Sequence, residues 1–248
     1  MKRQKISREE VKAVLANHLK WLKTGGEHGE RADLSHCDLS HYNLQQANLE
    51  RAHLKGTYFY RTNLRTANLK GANLNGAFMM KADLQWTIVF NTELKETCLD
   101  GASLHYANFS GSDLTRASMQ NIFLHNAYFS KATLTSADLR GANFRFTEMN
   151  FAKLNGTNLS GAVIAATKMV GADLSDSDLS NTEITMTNFE KANLNNSKFL
   201  NAYLLKNNFH GADLRGTDFN GTNVESFDFS DVRLSKLEMR DGEKLTQQ

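Results

Sequence analysis

Residues 62–81 read TNLRT, ANLKG, ANLNG and AFMMK, four five-residue units whose third residue is large and apolar. The same frame runs without a slip from Leu34 to Met239, and its 42 central positions hold 24 Leu, 9 Phe, 5 Met, 2 Ile and 2 Val. Two positions earlier, 36 of the 42 residues are Ala, Thr, Ser or Cys, and the residue between is Asp or Asn in 22 units. The repeating unit is therefore a small residue, Asp or Asn, a large apolar residue and two variable residues.

A period of five matches neither the helical period of 3.6 nor the strand period of two, because on a helix the apolar residues would spread around the axis. It suits a coil that turns a corner in every unit, with the large and the small residue pointing inward and the other three outward. Twelve of the 16 glycines occupy the last position of the unit, for example Gly56, Gly71 and Gly211. Glycine there supplies the backbone freedom that a corner requires.

These units resemble the pentapeptide-repeat family, whose consensus is A(D/N)LXX, over residues 32–241. The resemblance implies an all-β solenoid, a right-handed quadrilateral β-helix with four units per coil and about 10 coils, about 50 Å long at the usual strand spacing. Four units per coil predict that residues 20 apart stack. The residues themselves support this, since every twentieth position from Leu34 to Leu234 is leucine.

The chain of 248 residues contains no proline. A stack of coils explains this, because backbone groups pair between coils and proline would remove a donor from that ladder. Each coil buries its apolar residues only against its neighbours, as in other repeat proteins.

Both ends of such a stack are open sheet edges that need covering. In the N-terminal segment, residues 1–31, Ser7 and Glu10 form a capping-box pattern and apolar residues follow at helical spacing. We expect an amphipathic helix at about residues 7–23 that lies over the first coil, with the bulky Tyr42 helping to plug that coil. At the other end Phe227, Val232 and Leu237 replace small residues and predict a C-terminal plug, followed by a short polar tail, residues 242–248.

No catalytic or cofactor motif occurs in the sequence, so we expect no enzyme, no cofactor and no catalytic residue. His36, Cys37 and His41 are grouped but fall on adjacent faces with Cys37 inward, which argues against a metal site. The sequence has two cysteines, no apolar run long enough to span a membrane and no secretory signal near its start. These features predict a cytoplasmic protein and give no indication of a membrane partner.

One corner of the predicted rod is aromatic and lacks glycine, whereas the other three corners hold all 12 corner glycines. A basic column lies beside it. Clustered aromatic and arginine side chains are typical of protein-binding surfaces. The alternatives are that the second subunit of a dimer or the N-terminal helix covers this edge, or that its exposure has no role. The candidate partner-binding residues, called the aromatic strip below, are Arg65, Trp86, His105, Tyr106, His125, Arg145 and Phe146.

A second candidate surface is acidic and lies on two neighbouring faces toward the C-terminus. Much of it follows from the Asp option of the repeat consensus, so a purely structural origin remains open. Its residues are Asp173, Asp176, Asp178, Asp213 and Asp218.

The function that the sequence predicts is a non-enzymatic scaffold that binds a protein partner, as yet unidentified, through its outer faces. The family resemblance implies an alternative, since some members bind DNA gyrase or topoisomerase IV as mimics of duplex DNA and confer quinolone resistance. The charge opposes this: a 50 Å mimic needs about 30 negative charges, whereas the net charge is +2. Plasmid-type resistance members also carry loops that interrupt the repeat, and here the repeat is continuous.

An exported effector or membrane-associated protein is a third possibility. The few basic residues of the strip argue against nucleic acid as partner.

Overall fold

The computed structural model describes residues 4–226 and 228–234, which form one capped solenoid. The chain starts with strand β1 (Gln4–Lys5) and helix α1 (Arg8–Lys23), and the coils follow from residue 32. Isolated parallel bridges join residues 20 apart from Asp33↔His53 to Asp213↔Arg233. This confirms four units per coil. Strand β2 (Cys37–Asp38) pairs with β1. A second, parallel sheet consists of β3 (Val163–Ala165), β4 (Glu183–Thr185), β5 (Tyr203–Leu205) and β6 (Asn223–Glu225).

The four sides of the solenoid are named here after their units in the first coil. The first face starts with residues 32–36, the second with 37–41, the third with 42–46 and the fourth with 47–51, and each continues every 20 residues. Strands β3 to β6 all belong to the third face.

Two inward residues of each unit fill the interior, as the repeat predicts. The leucine column from Leu34 to Leu214 is at most 2% exposed, and Phe109 stacks on Phe129 with ring centroids 4.9 Å apart. At the small position, the hydroxyl of Thr57 donates to the backbone carbonyl of Leu34 in the preceding coil at 2.7 Å. Threonine is therefore tolerated inside because its hydroxyl has a backbone partner.

The Asp or Asn of the unit closes a turn on the outside. Asn63 Oδ1 accepts the backbone N–H of Arg65 at 3.0 Å, and Asp83 Oδ1 accepts that of Gln85 at 3.1 Å. This N–H belongs to the fourth residue of the unit, so the side chain forms an Asx turn across the apolar residue. The preference for Asp or Asn at this position thus has a backbone cause.

Each corner residue adopts left-handed backbone torsions, with φ of 64° at Gly71 and 61° at Trp86. Some corners also require glycine for steric reasons, because the corner side chain of one coil contacts the backbone of the corner residue in the next coil. A methyl group added at Gly111 would overlap Oδ1 of Asn91, its predecessor by one coil. Space at these corners is therefore shared between residues 20 apart.

Helix α1 covers the N-terminal end of the solenoid. Ser7 Oγ accepts from the N–H of Glu10 at 3.2 Å and the Glu10 carboxylate accepts from the N–H of Ser7 at 2.7 Å, so the predicted capping box is present. Val11 and His18 are buried against the core. Strand β1 extends the sheet edge, and the Tyr42 hydroxyl donates to the Ile6 carbonyl at 2.5 Å.

The C-terminal end is described only as far as Leu234. Val232 is partly buried against the core, whereas Leu234 is 50% exposed. Phe227 and Leu237, the other two residues of the predicted plug, and the polar tail lie outside the described residues.

Two glycines of the loop after α1 provide a test of how closely this loop packs against the helix. A methyl group at Gly29 would overlap the backbone of Asn17 and Trp21, whereas Gly25 has open space around it. Both have positive φ, so Gly25→Ala carries only the left-handed penalty of about 1–2 kcal/mol. We expect Gly29→Ala to lower the free energy of unfolding clearly more, as measured by chemical denaturation. Equal losses for the two variants would contradict the observed seating of this loop.

His18 makes the seating of α1 dependent on pH. The ring is fully buried, and its Nδ1 accepts the backbone N–H of Ala32 at 3.1 Å, which a protonated ring cannot do. Burial lowers the pKa of His18, aided by the charge of Arg31 and opposed by Glu50. Because this pKa lies below that of the unfolded segment, the stabilisation is complete above about pH 6.5 and declines as the pH falls below it.

We therefore expect the amides of α1 to lose protection against hydrogen exchange between about pH 7 and about pH 5. His18→Asn keeps a side-chain acceptor but cannot titrate, so its protection should change little over that range. His28→Asn, which alters an exposed histidine of the same segment, should behave like the parent protein. The interpretation fails if His18→Asn retains the full pH dependence.

Candidate functional site

The aromatic strip lies where the third and fourth faces meet, and the structure brings its predicted residues together. Trp86, Tyr106 and Phe146 occupy one corner column, with Asn126 between Tyr106 and Phe146, and are 51%, 38% and 55% exposed. His105 and His125 stand beside them on the third face. Helix α1 packs at the end of the rod and leaves this edge uncovered.

Ring contacts connect most of the strip. Trp86 and Tyr106 stack with centroids 4.0 Å apart and planes inclined by 4°. His125 then makes edge contacts with Tyr106 at 6.4 Å and with Phe146 at 5.2 Å. The 20-residue period thus turns scattered sequence positions into one continuous ladder of rings along the rod.

The two arginines mark the ends of the strip. Arg65 Nη1 bonds Asp83 Oδ2 at 3.2 Å, and both side chains are partly exposed. Such a surface ion pair contributes little to stability, so it leaves Arg65 available for contacts with a partner. Arg145 uses its backbone N–H to donate to Asn143 Oδ1 at 3.3 Å, at the coil of Phe146.

The aromatic side chains of the strip occupy unfavourable backbone positions. Trp86, Tyr106 and Phe146 have φ of 61°, 60° and 57°. Left-handed torsions cost residues other than glycine about 1–2 kcal/mol each. Glycine would be less strained there, although the other corners that carry residues other than glycine bear the same cost.

His105 and His125 form a pair with ring centroids 6.1 Å apart, and Phe123 lies 6.3 Å from His105. Burial lowers the pKa of His105, and the charge of His125 lowers it further, whereas Asp83 opposes the shift. His105 therefore carries less positive charge than an ordinary histidine at the same pH.

Sequence reasoning missed the full length of the apolar surface. Beyond Phe146 the third face continues as strands β3 to β6 and presents further apolar or aromatic side chains. The first face, on the opposite side, has no apolar side chain at its outward positions between Asp33 and Gly216. The rod is thus amphipathic in cross-section, which comparison of the outward positions of the first and third faces shows. The additional third-face residues are Phe123, Val163, Ala165, Ala166, Met186, Tyr203 and Leu205.

Other exposed apolar residues flank the strip on the second and fourth faces. Phe78 and Met80 lie on the second face, and Ile88, Phe90 and Tyr128 on the fourth. Tyr58 is only partly exposed and stacks on Phe78 at 4.6 Å.

The acidic surface lies on the first and second faces as predicted, but four of its members make Asx turns. Asp213 also pairs with Arg215 at 2.6 Å. Asp176, the corner residue, accepts from Asn196 Nδ2 at 3.2 Å. Backbone structure thus accounts for most of these carboxylates. The Asx-turn members are Asp173, Asp178, Asp213 and Asp218.

The described part of the chain offers little for metal or thiol chemistry. No group of three or more potential ligands among these residues is arranged to hold a metal ion. Burial raises the pKa of both the Cys37 and the Cys98 thiol, which disfavours the reactive thiolate. Within residues 4–226 and 228–234, no helix has the length and apolar character needed to cross a bilayer.

A family model described as pentapeptide repeats matches residues 32–221. The chain therefore belongs to the pentapeptide-repeat family, and its fold is the right-handed quadrilateral β-helix of that family. No curated protein shows significant similarity to the sequence.

Several solved structures are similar to this chain. One is HetL, a pentapeptide repeat protein involved in heterocyst differentiation regulation from the cyanobacterium Nostoc sp. strain PCC 7120. The two sequences are 25% identical, the alignment covers 96% of this chain and 99% of HetL, and the TM-score is 0.48. A second is trypsin-treated QnrB1, a plasmid-mediated fluoroquinolone resistance protein, with 16% identity, coverage of 79% and 87%, and a TM-score of 0.45. A third, from the thylakoid lumen of Arabidopsis thaliana, has 28% identity, coverage of 47% and 71%, and a TM-score of 0.23.

Charge coupling within the histidine pair can be measured directly. His125→Ala removes a neighbouring positive charge and should raise the pKa of His105. Asp83→Asn retains the side-chain acceptor of the Asx turn but loses the negative charge, and should lower that pKa further. NMR titration of the ring protons measures both shifts. A His105 pKa that is the same in both variants and the parent would show that the rings are not placed as described.

Proposed function

We propose that the protein is a non-enzymatic scaffold that binds a protein partner through the aromatic strip. The observation that supports this most is the column of exposed rings at left-handed corners, where glycine would be the stable choice. A cost in folding free energy at three coils of one column suggests selection for the surface that the rings create. Large apolar patches beside arginine are also typical of protein interfaces.

The packing within the strip favours a protein over a nucleic acid. Bases bind to aromatic residues by stacking on free ring faces. Trp86 and Tyr106 already cover one face of each other, and His125 lies against Tyr106. Both rings remain exposed, Trp86 by 51% and Tyr106 by 38%, and an exposed aromatic cluster of this kind suits the apolar side chains of a protein.

The test is affinity capture from cells that naturally produce the protein, followed by identification of the captured proteins. Replacing Trp86 and Tyr106 together by serine should abolish capture, because it removes the central stacked pair. Phe151→Ser is the matched control, since Phe151 is 58% exposed at a left-handed corner outside the strip. The proposal fails if the double variant, with an unchanged circular dichroism spectrum, captures the same proteins as the parent.

A second candidate function is modulation of DNA gyrase or topoisomerase IV. The rod shape and the family support it, and QnrB1 is described as a fluoroquinolone resistance protein. The near-neutral charge of the coils weighs against mimicry of duplex DNA: with +2 overall and +4 in residues 1–31, residues 32–248 carry −2. A supercoiling assay with purified gyrase separates the two functions, since a scaffold of the proposed type leaves the supercoiling rate unchanged.

A further inference from the structure

We propose that the partner of the aromatic strip is a second copy of this chain, bound antiparallel with the third faces of the two rods in contact. The inference rests on the proposed function, because it names the protein that the strip binds. A twofold axis would lie in the plane of contact, along the strands, and cross the rod at the coil of Arg145.

The regular solenoid dictates which residues then face each other. Rotation about an axis along the strands reverses the order of the coils and keeps each outward column opposite the same column of the other copy. With the axis at Arg145, the coil of Arg65 faces the coil of Glu225, and that of Trp86 faces that of Lys206. Both rods have the same coil spacing, so the register holds over the whole face apart from its gradual twist.

Opposite charges and attractive pairs meet in this register. Arg65 faces the exposed Glu225 of the second copy, an ion pair that the twofold axis repeats. The exposed Lys206 lies opposite Trp86, where an ammonium group can contact the indole. Met186, 60% exposed, lies opposite Tyr106, a favourable sulfur–aromatic pair.

Near the middle of the face, large side chains of one copy lie opposite smaller side chains of the other. The exposed Phe123 lies opposite Val163, and His125 lies opposite the small Ala165. Nearer the ends, Asp83 faces the hydroxyl of Tyr203. Apart from Leu205, which faces Gln85, these apolar groups therefore meet apolar or small groups, and the aspartate meets a hydrogen-bond donor.

One contact in this register is unfavourable. Phe146 packs against Phe146 of the second copy on the axis, but Arg145 also faces Arg145 of that copy. Like charges across an interface weaken it. Arg145 therefore opposes self-association, whereas a foreign partner with an acidic surface would be attracted by the same residue.

The size of the face predicts a weak dimer. Nine coils from Arg65 to Glu225 span about 40 Å, and a face about 10 Å wide offers a projected area of about 400 Å² per copy. Over both copies this is about 800 Å², which is below the range of stable specific complexes and within that of weak, transient ones. Association should accordingly depend on protein concentration.

The experiment is sedimentation velocity of the full chain over a wide range of concentrations, with charge reversals at the ends of the face. Arg65→Glu alone and Glu225→Arg alone should each weaken self-association at least about tenfold, because each places like charges opposite one another twice. An equimolar mixture of the two variants should dimerise again, since the heterodimer keeps one original Arg65–Glu225 pair and forms one pair with reversed sign. Lys55→Glu, the same charge change on the opposite face of the coil of Arg65, should leave the dimer unchanged.

Arg145→Gln provides a test with the opposite sign. Removing the charge on the axis should tighten the dimer severalfold, whereas the same change would weaken binding to an acidic foreign partner. A chain that remains monomeric at all concentrations, or a mixture of the reversed variants that fails to associate, overturns the inference. The proposed function is judged separately by cellular capture: strip-dependent capture of a different protein by a monomeric chain would retain the scaffold and reject the second copy as its partner.

Discussion

The hydrogen-bond ladder between coils is the constraint on which the rest of this structure depends. The N–H of Leu114 donates to the carbonyl of Thr133 at 2.7 Å, and equivalent bonds recur from coil to coil. Because every coil must place its donors over the acceptors of the next, each unit has the same length and the same direction of turn. Proline is excluded by the ladder, and the inward columns of leucine and phenylalanine follow from its register.

The same ladder determines what the surface can do. Residues 20 apart become neighbours about 4.8 Å apart. A side chain introduced by substitution therefore contacts the residues of the same column in the coils before and after it. Trp86, Tyr106 and Phe146 form a continuous edge only for this reason, although their positions in the sequence are remote. The polar first face and the apolar third face then give the rod two different sides, and the apolar side is where a protein partner fits best.

Most of the fold could be predicted from the sequence because the pattern is strict. The inward residues, the corners, the 20-residue stacking and the helix that begins after Ser7 are confirmed. The buried bond between His18 and the Ala32 N–H was not predictable, since it joins a helix that lies outside the repeat to the first coil. Nor does the unit show that Asn91 leans over Gly111, a contact between coils. The extension of the strip to Leu205 was missed because the candidate residues were chosen for aromatic and basic character, and these end at Phe146.

The most direct test of this account is detection of the hydrogen bonds themselves by NMR, through scalar couplings between an amide nitrogen and the carbonyl carbon across each bond. The structure predicts that the amide of Leu114 couples to the carbonyl of Thr133, and that of Leu134 to the carbonyl of Lys153. The offset of 19 residues should recur along the chain between residues 34 and 214. For the amides of the central apolar residues, couplings at another offset, or to carbonyls four residues earlier as in a helix, would contradict the coil register and every surface derived from it.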